Sequence, residues 1–472
     1  MNHQFPHSPW YVVVGATHSQ QLQTRLVTIN APNVFLSRPR FFPFKPKKGV
    51  TKERWYERIG INYAATFNNQ VAVRDSNLFR PTTFQDSLRY GLKQTFQTNV
   101  NFKVLKHFTL TPTFSLNEYW YPVQVQKTFV SRDDTFFVKK DTISRFTTVR
   151  DFQFQTQLAT TLYGTIQKKN WGFRHTMIPS LSLQYQPDFR EPHWKVYKQV
   201  QVDTTGRLSY YSIVEDGLFG GPPQGEIKAL HFNLLNQYQM KVLKKDIRQR
   251  PDSMVQNPRD KFRYITLFDN IGFSTSYNFA ADSLRLSPFE FVARTLIIGK
   301  MNFNLQATLS PYRLDSVGRT INQTYLGSGE RRLGRWTQVS LNFGAPLETL
   351  LPVDPIRDFF GWEWSLQFNY IFTYSKPAFQ KLESQSLSIS GNVNPTSRWR
   401  ISFNSGYDFT TQKMTFTTVN LYRDLHCWEM TLTFVPFGPR KSYFLTIQVK
   451  APSLRDLKVT KRRDWQDRLQ TF

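Results

Sequence analysis

The stretch Trp399-Arg-Ile-Ser-Phe-Asn-Ser-Gly-Tyr-Asp-Phe409 decides how the chain is read. Trp399, Ile401, Phe403, Tyr407 and Phe409 alternate with Arg400, Ser402, Asn404, Gly406 and Asp408, the two-residue period of a strand with one apolar face. The period returns in Trp428, Met430, Leu432 and Phe434 against Cys427, Glu429, Thr431 and Thr433. It returns again in Tyr443, Leu445, Ile447 and Val449 against Ser442, Thr446, Gln448 and Lys450. The joints, Thr410 to Lys413, Asp424 to His426 and Phe437 to Lys441, have the length of hairpin loops. A meander of two-faced antiparallel strands therefore occupies the C-terminus.

Working outward, the same device recurs. Phe108, Leu110, Phe114 and Leu116 oppose Thr109, Thr111, Thr113 and Ser115; Leu181, Leu183 and Tyr185 oppose Ser182, Gln184 and Gln186. Trp364, Leu366, Phe368, Tyr370 and Phe372 oppose Glu363, Ser365, Gln367 and Asn369. Roughly 16 to 20 such strands are expected. Trp10 to His18 and Thr24 to Asn30 read as the first of them, and the Pro-rich segment Arg38 to Arg58 as a joint.

The polar positions decide between architectures. A soluble sandwich carries many Lys and Glu on its outer faces, whereas these strands carry Ser, Thr, Asn and Gln, which suit a wet lumen. Rings gather near strand ends, as at Trp120 with Tyr121, Trp362 with Trp364, and Trp399, where an interfacial girdle would put them. The 472 residues hold 42 Phe, 21 Tyr and 11 Trp, yet no window holds the ~20 apolar residues of a membrane helix. The reading is an all-β, large antiparallel transmembrane β-barrel, incomplete in this chain. Residues 1–450 are assigned to it and 451–472 to a basic periplasmic tail. Short joints at Asp269 to Asn270, Gly299 to Lys300, Asn394 to Arg398 and Asp424 to His426 are placed at the periplasmic end. The longer Lys244 to Lys261, Arg313 to Gly334 and Ser375 to Ser384 are placed at the outer end.

The formal charge of +27 calls for anionic partners or surfaces. Basic runs such as Arg38 to Lys52 and Lys244 to Arg263 come without a zinc finger or RNP-like motif, so nucleic acid is not expected; phosphorylated lipid fits at least as well, and a generically basic surface that aids solubility is the alternative. The single Cys427 allows no intrachain disulfide. Nucleotide-loop, H-E-x-x-H and G-x-S-x-G signatures fail. No catalysis, cofactor or metal is expected; His3 and His7 lie in a Pro-containing tail, and Asp133 with Asp134 and Glu215 with Asp216 read as solvated loop charge. The densest polar cluster is Arg423, Asp424, His426 and Glu429. It reads as a turn in which Asp424 caps the backbone and Arg423 pairs with an acid across the hairpin, or as the mouth of a lumen passing an anionic ligand.

The run Leu421-Tyr-Arg-Asp-Leu-His-Cys-Trp-Glu-Met430, then Phe434-Val-Pro-Phe-Gly438, Arg440-Lys-Ser-Tyr443 and Leu457-Lys-Val-Thr-Lys-Arg-Arg463, resembles the end of a Bacteroidetes-type, OstA-like LptD. Arg40-Phe-Phe-Pro-Phe-Lys45, Lys52-Glu-Arg-Trp-Tyr56, Ser276-Tyr-Asn-Phe-Ala-Ala-Asp282 and Ser405-Gly-Tyr-Asp-Phe409 resemble the same family. The resemblance implies a barrel in the Gram-negative outer membrane that inserts lipopolysaccharide into the outer leaflet. It implies as partners a lipoprotein plug, periplasmic lipopolysaccharide bridge proteins and outer-membrane lipid. A family barrel has about 26 strands, so the first strands and a periplasmic jellyroll are expected upstream of Met1. Lipid would leave sideways at a seam beside the last strand, here Ser442, Tyr443, Leu445, Ile447, Val449 and Lys450. Pro436, Pro439 and Pro452 flank it and read either as weakening its closure, since proline removes a ladder donor, or as ordinary strand stops. A porin or barrel enzyme, and a soluble polyanion-binding β-protein, are the alternative readings.

Overall fold

The computed structural model describes all residues except 1, 5–7, 47–53, 79, 81–82, 84–86, 133–134, 244–261, 298–300, 351–358, 438–440, 455 and 464–472. Strands dominate. The first eight are β1 (Asn2–Gln4), β2 (Tyr11–Gln21), β3 (Leu26–Phe41), β4 (Gly60–Arg74), β5 (Leu88–Asn99), β6 (Phe102–Val104), β7 (Phe108–Arg132) and β8 (Thr135–Thr160). There follow β9 (Leu162–Gln167), β10 (Trp171–Gln186), β11 (Tyr197–Gln201), β12 (Leu208–Ser212), β13 (Ile227–Leu243), β14 (Phe262–Asn278), β15 (Phe289–Ile297), β16 (Met301–Ser310), β17 (Tyr312–Leu314), β18 (Thr320–Thr324) and β19 (Arg335–Pro346). The last are β20 (Glu363–Ser375), β21 (Leu382–Thr396), β22 (Trp399–Asp408), β23 (Lys413–Met414), β24 (Thr418–Leu425), β25 (Trp428–Val435), β26 (Ser442–Val449) and β27 (Lys458–Arg463).

One antiparallel sheet takes 23 of these strands, and β11–β12 and β17–β18 form separate pairs. Among the 23, the fragments β1, β6 and β23, of three residues or fewer, leave twenty longer strands, within the expected range. Neighbours in sequence are neighbours in the sheet, as short loops require. The chain divides into two compact units: Met1–Thr160 with Ser180–Phe232 and Ser276–Arg285, and Thr161–Pro179 with Asn233–Thr275 and Leu286–Phe472.

In the first unit the sheet is inside out relative to a soluble protein. Leu110, Leu158 and Leu181 stand opposite one another on β7, β8 and β10. Leu181 is 40% exposed and Leu183 52%, while Ser182 between them is 7% exposed. A surface that leaves leucine out and covers serine is the pattern of a sheet solvated by lipid on its apolar side. Proline marks where the ladders slip. The β3–β4 register shifts between Asn30 and Val34 and between Arg38 and Phe41, around Pro32 and Pro39, and the β7–β8 register shifts between Tyr121 and Val123, around Pro122. Each proline removes one donor, and a bulge absorbs the loss. The expected joint from Arg38 is corrected accordingly, since β3 runs on to Phe41.

Two further expectations are corrected in the second unit. Asp269 and Asn270 are not a joint but lie inside β14, where the Asp269 carboxylate accepts from Leu296 N–H at 3.3 Å. The segment after Lys450 is not all tail: after a 3-10 turn at Pro452–Leu454, Lys458–Arg463 pairs along β26 as an additional strand. Its sequence, Lys-Val-Thr-Lys-Arg-Arg, lacks alternation, and only the open edge of β26 reveals it as a strand. Gly299 to Lys300, Lys244 to Lys261, Asp133 with Asp134, His7 and Pro439 lie outside the described residues.

Candidate functional site

The C-terminal edge of the second unit is built by alternation and, at 397–398 and 426–427, by two-residue turns. β24, β25 and β26 each have eight residues, joined in a register that sets Leu421 beside Leu432 and Leu445 on one face, and Asn420 beside Thr433 on the other. Thr433 Oγ1 bonds Asn420 Oδ1 at 3.0 Å, and Asn392, Ser402 and Asn420 continue an amide and hydroxyl row across β21, β22 and β24. This face lines a cavity of about 780 Å³ with Ser365, Asn394, Arg400 and Thr431. Glu363 and Arg400 also line it, so neutral groups that can hold water or sugar hydroxyls stand beside one charge of each sign.

The polar cluster at the 426–427 turn divides between the two faces. Asp424 accepts from His426 N–H at 2.8 Å and pairs with Lys450 Nζ at 2.5 Å, so it caps the turn as expected and also ties β24 to the end of β26. His426 takes φ 71°, the left-handed turn position. Glu429 stands opposite Asp424 and accepts from Gln448 Nε2 at 2.5 Å. Among the described residues Arg423 pairs with no acid; its guanidinium lies 4.7 Å from the Trp399 ring centroid, because neighbouring strand residues point to opposite faces. Cys427 is exposed. Of the flanking prolines, Pro436 directly follows β25 and Pro452 opens the turn between β26 and β27.

A second construction escaped the sequence reading. Between β10 and β13, residues 187–226 fold into a module on the face of β7 and β8 carried by Tyr119, Tyr121 and Val149, where Val196, Ile213 and Val214 form a buried cluster with them. Tyr121 Oη donates to Gly220 O at 2.7 Å and accepts from Phe219 N–H at 3.1 Å, while Val125 N–H donates to Ile213 O at 2.8 Å. Tyr121 is therefore not part of an aromatic girdle; its neighbour Trp120, 37% exposed, is on the opposite face. Glu215 and Asp216 are not solvated loop charge either. Lys127 and Lys140 pair with Glu215 at 2.8 and 2.9 Å, and Lys140 pairs with Asp216 at 2.7 Å. The base of the module is pinned by Asp188, which accepts from Arg190 Nε and from Gly225 N–H.

These carboxylates set a pH limit. The Arg190 guanidinium, against the opposing effect of partial burial and with help from backbone N–H groups, holds the Asp188 carboxyl below its ordinary range. Burial works against the charge of Glu215, but the ammonium groups of Lys127 and Lys140 outweigh it and lower that carboxyl too. A lowered carboxyl stabilises the fold above its unfolded-state pKa and loses that contribution as pH falls through the folded value. Hydrogen-exchange protection in 187–226, taken relative to the intrinsic rate at each pH, is therefore expected to be flat from neutrality to about pH 4 and to fall below it.

Comparison with known families gives a match to the LptD protein family over residues 1–312. The chain belongs to the LptD family. As a member, this LptD chain resides in the outer membrane of a Gram-negative cell. The match contains the 187–226 module and ends within β17, so the run Leu421 to Met430 lies beyond it. No curated protein matches the chain.

Among solved structures, the LptD chain is similar to the ferric-catecholate import receptor Fiu from E. coli K12, at 9% identity, covering 95% of this chain and 68% of that one, with TM-score 0.29. It is also similar to the siderophore receptor PiuA from Acinetobacter baumannii, at 10% identity, covering 98% and 71%, with TM-score 0.29. The receptor PirA from the same organism gives 8% identity, 96% and 67%, with TM-score 0.33. Among the described residues of this LptD chain no group of His, Cys, Asp and Glu is arranged to hold a metal.

Proposed function

We propose that this chain moves lipopolysaccharide across the outer membrane and inserts it into the outer leaflet, with the apolar sheet face in lipid and the amide- and hydroxyl-rich face toward a lumen that accepts the sugar portion. Membership of the LptD family carries the reading. The exposed leucine rows and the amide- and hydroxyl-rich face support it, because a lipid with a large sugar head needs one apolar and one hydrogen-bonding environment along its route. The partners proposed with it are a lipoprotein plug in the lumen and periplasmic proteins that deliver the lipid. Passage is proposed beside the C-terminal strands, with release sideways and no chemical step.

The test is surface lipopolysaccharide in cells depleted of this protein and complemented with variants. Photoreactive residues along β27 identify the strand that faces its outer edge, and a disulfide then fastens the captured pair. Surface lipopolysaccharide is expected to fall by about tenfold or more with the disulfide formed and to return on reduction, as closing a sole exit requires. Undiminished delivery with the disulfide confirmed sinks the sideways route. Undiminished delivery on depletion of the protein sinks the transport reading itself.

A further inference from the structure

The additional strand β27 carries a feature that alternation does not anticipate. Its register continues two rows of side chains across the apolar face: Leu421, Leu432 and Leu445 lead to Lys461, and Val419, Phe434 and Tyr443 lead to Arg463. Two cations thus end rows that are otherwise leucine, valine and aromatic. On the opposite face Lys458 follows Asp424, Glu429 and Gln448, a row that holds carboxylates. Lys461 and Arg463 have no such company, and no carboxylate pairs with either among the described residues. Every residue of β27 is exposed, and within its unit β27 pairs with β26 alone among the described residues.

An unpaired Lys or Arg on the hydrocarbon side of a sheet is unfavourable, and its long side chain reaches for the headgroup level instead. The position of this pair fits such a reach. Arg463 stands opposite Tyr443 at the beginning of β26, and Lys461 lies two residues, about 7 Å, further in. That end of β26 is opposite to the two-residue turns 397–398 and 426–427. Short turns are periplasmic in outer-membrane sheets, which puts Arg463 toward the outer leaflet.

We infer that Lys461 and Arg463 form a binding site for the phosphate groups of an anionic lipid at the outer-leaflet end of β27. The assignment rests on the transport reading for its lipid, and it names what that lipid must carry: phosphate within reach of an ammonium and a guanidinium on the outward face of the last strand. Charge-assisted hydrogen bonds to phosphate oxygens replace the water that both cations lose beside Leu445 and Tyr443.

The test uses the full chain in lipid nanodiscs with a photoreactive group at Val459, on the same face. The probes are bisphosphorylated lipid A, the same lipid with both phosphates removed, and phosphatidylglycerol, with inorganic phosphate as competitor. Capture of bisphosphorylated lipid A is expected to drop about tenfold or more in the Lys461→Gln, Arg463→Gln variant and to persist in Lys461→Arg, Arg463→Lys, whereas the dephosphorylated lipid is captured weakly by all three. The Lys458→Gln, Arg462→Gln variant, altered on the other face, is expected to behave as the native chain. Heat-modifiable migration reports that each variant is folded.

Equal capture by the native chain and the Gln variant, or capture indifferent to phosphate, overturns the site. Displacement by inorganic phosphate at low millimolar concentration assigns the contact to the free ion and overturns the lipid assignment. Capture of phosphatidylglycerol in preference to lipid A overturns the transported lipid as ligand. Loss of the transport reading is seen separately, in undiminished surface lipopolysaccharide on depletion, and leaves the capture result standing.

Discussion

Replacing Tyr121 with alanine is expected to release the 187–226 module from the sheet while leaving the sheet folded. The ring is 2% exposed and fills a slot between β5 and the module. A Cβ on Gly91 would come within 2.8 Å of the ring, and a Cβ on Gly217 within 2.4 Å. Truncating a ring so enclosed costs about 3–5 kcal/mol, and the loss falls on the module because Gly217, Phe219 and Gly220 all depend on that side chain. The Tyr121→Phe variant keeps the ring and removes the hydroxyl, leaving Phe219 N–H without its acceptor at a cost of about 1–3 kcal/mol. Limited proteolysis of membrane-inserted protein checks both. Cleavage within 187–226 is expected to rise steeply for Tyr121→Ala and moderately for Tyr121→Phe, with no new cleavage in β20 to β26. Gly217→Val is the converse variant, since it pushes on the same ring from the module, and it is expected to give the same cleavage.

Replacing Leu181 with lysine is expected to prevent stable insertion of the sheet into the outer membrane. Leu181 lies in a row with Leu158 and Leu110, its side chain 40% exposed. In water such a change on an exposed leucine is close to neutral, but on the lipid side of a strand a lysine costs up to about 2–4 kcal/mol, most at the bilayer midplane and less toward the interfaces. Heat-modifiable migration and the membrane-inserted yield are expected to fall for Leu181→Lys and to stay native for Leu181→Phe. A native yield for both would mean that this face is not in hydrocarbon.

Much of the sheet was legible residue by residue. The alternation Trp399 to Phe409 and Trp428 to Phe434 reports the strand period directly, because side chains leave a strand to opposite faces by geometry alone. The turn-capping role of Asp424 was legible as well, being a contact between residues two apart. Arg423 was misread because charge complementarity named an acid, whereas strand parity put the guanidinium on the face of Trp399. Tyr121 and Glu215 were misread for another reason. Their partners are about a hundred residues away in sequence, at Gly220 and Lys127 respectively, and no local pattern encodes such a pairing.

The sequence by itself determined an all-β chain whose strands have one apolar face and one face rich in amides and hydroxyls, and with it the outer-membrane class, because the period of two and the preference for Ser, Thr, Asn and Gln are local properties. Only the tertiary structure decided that residues 187–226 pack on β7 and β8, and that the polar cluster divides between two faces. It alone showed that β27 continues the sheet with Lys461 and Arg463 at the ends of apolar rows. Each of these depends on register, a relation between distant segments set when backbone donors and acceptors find one another.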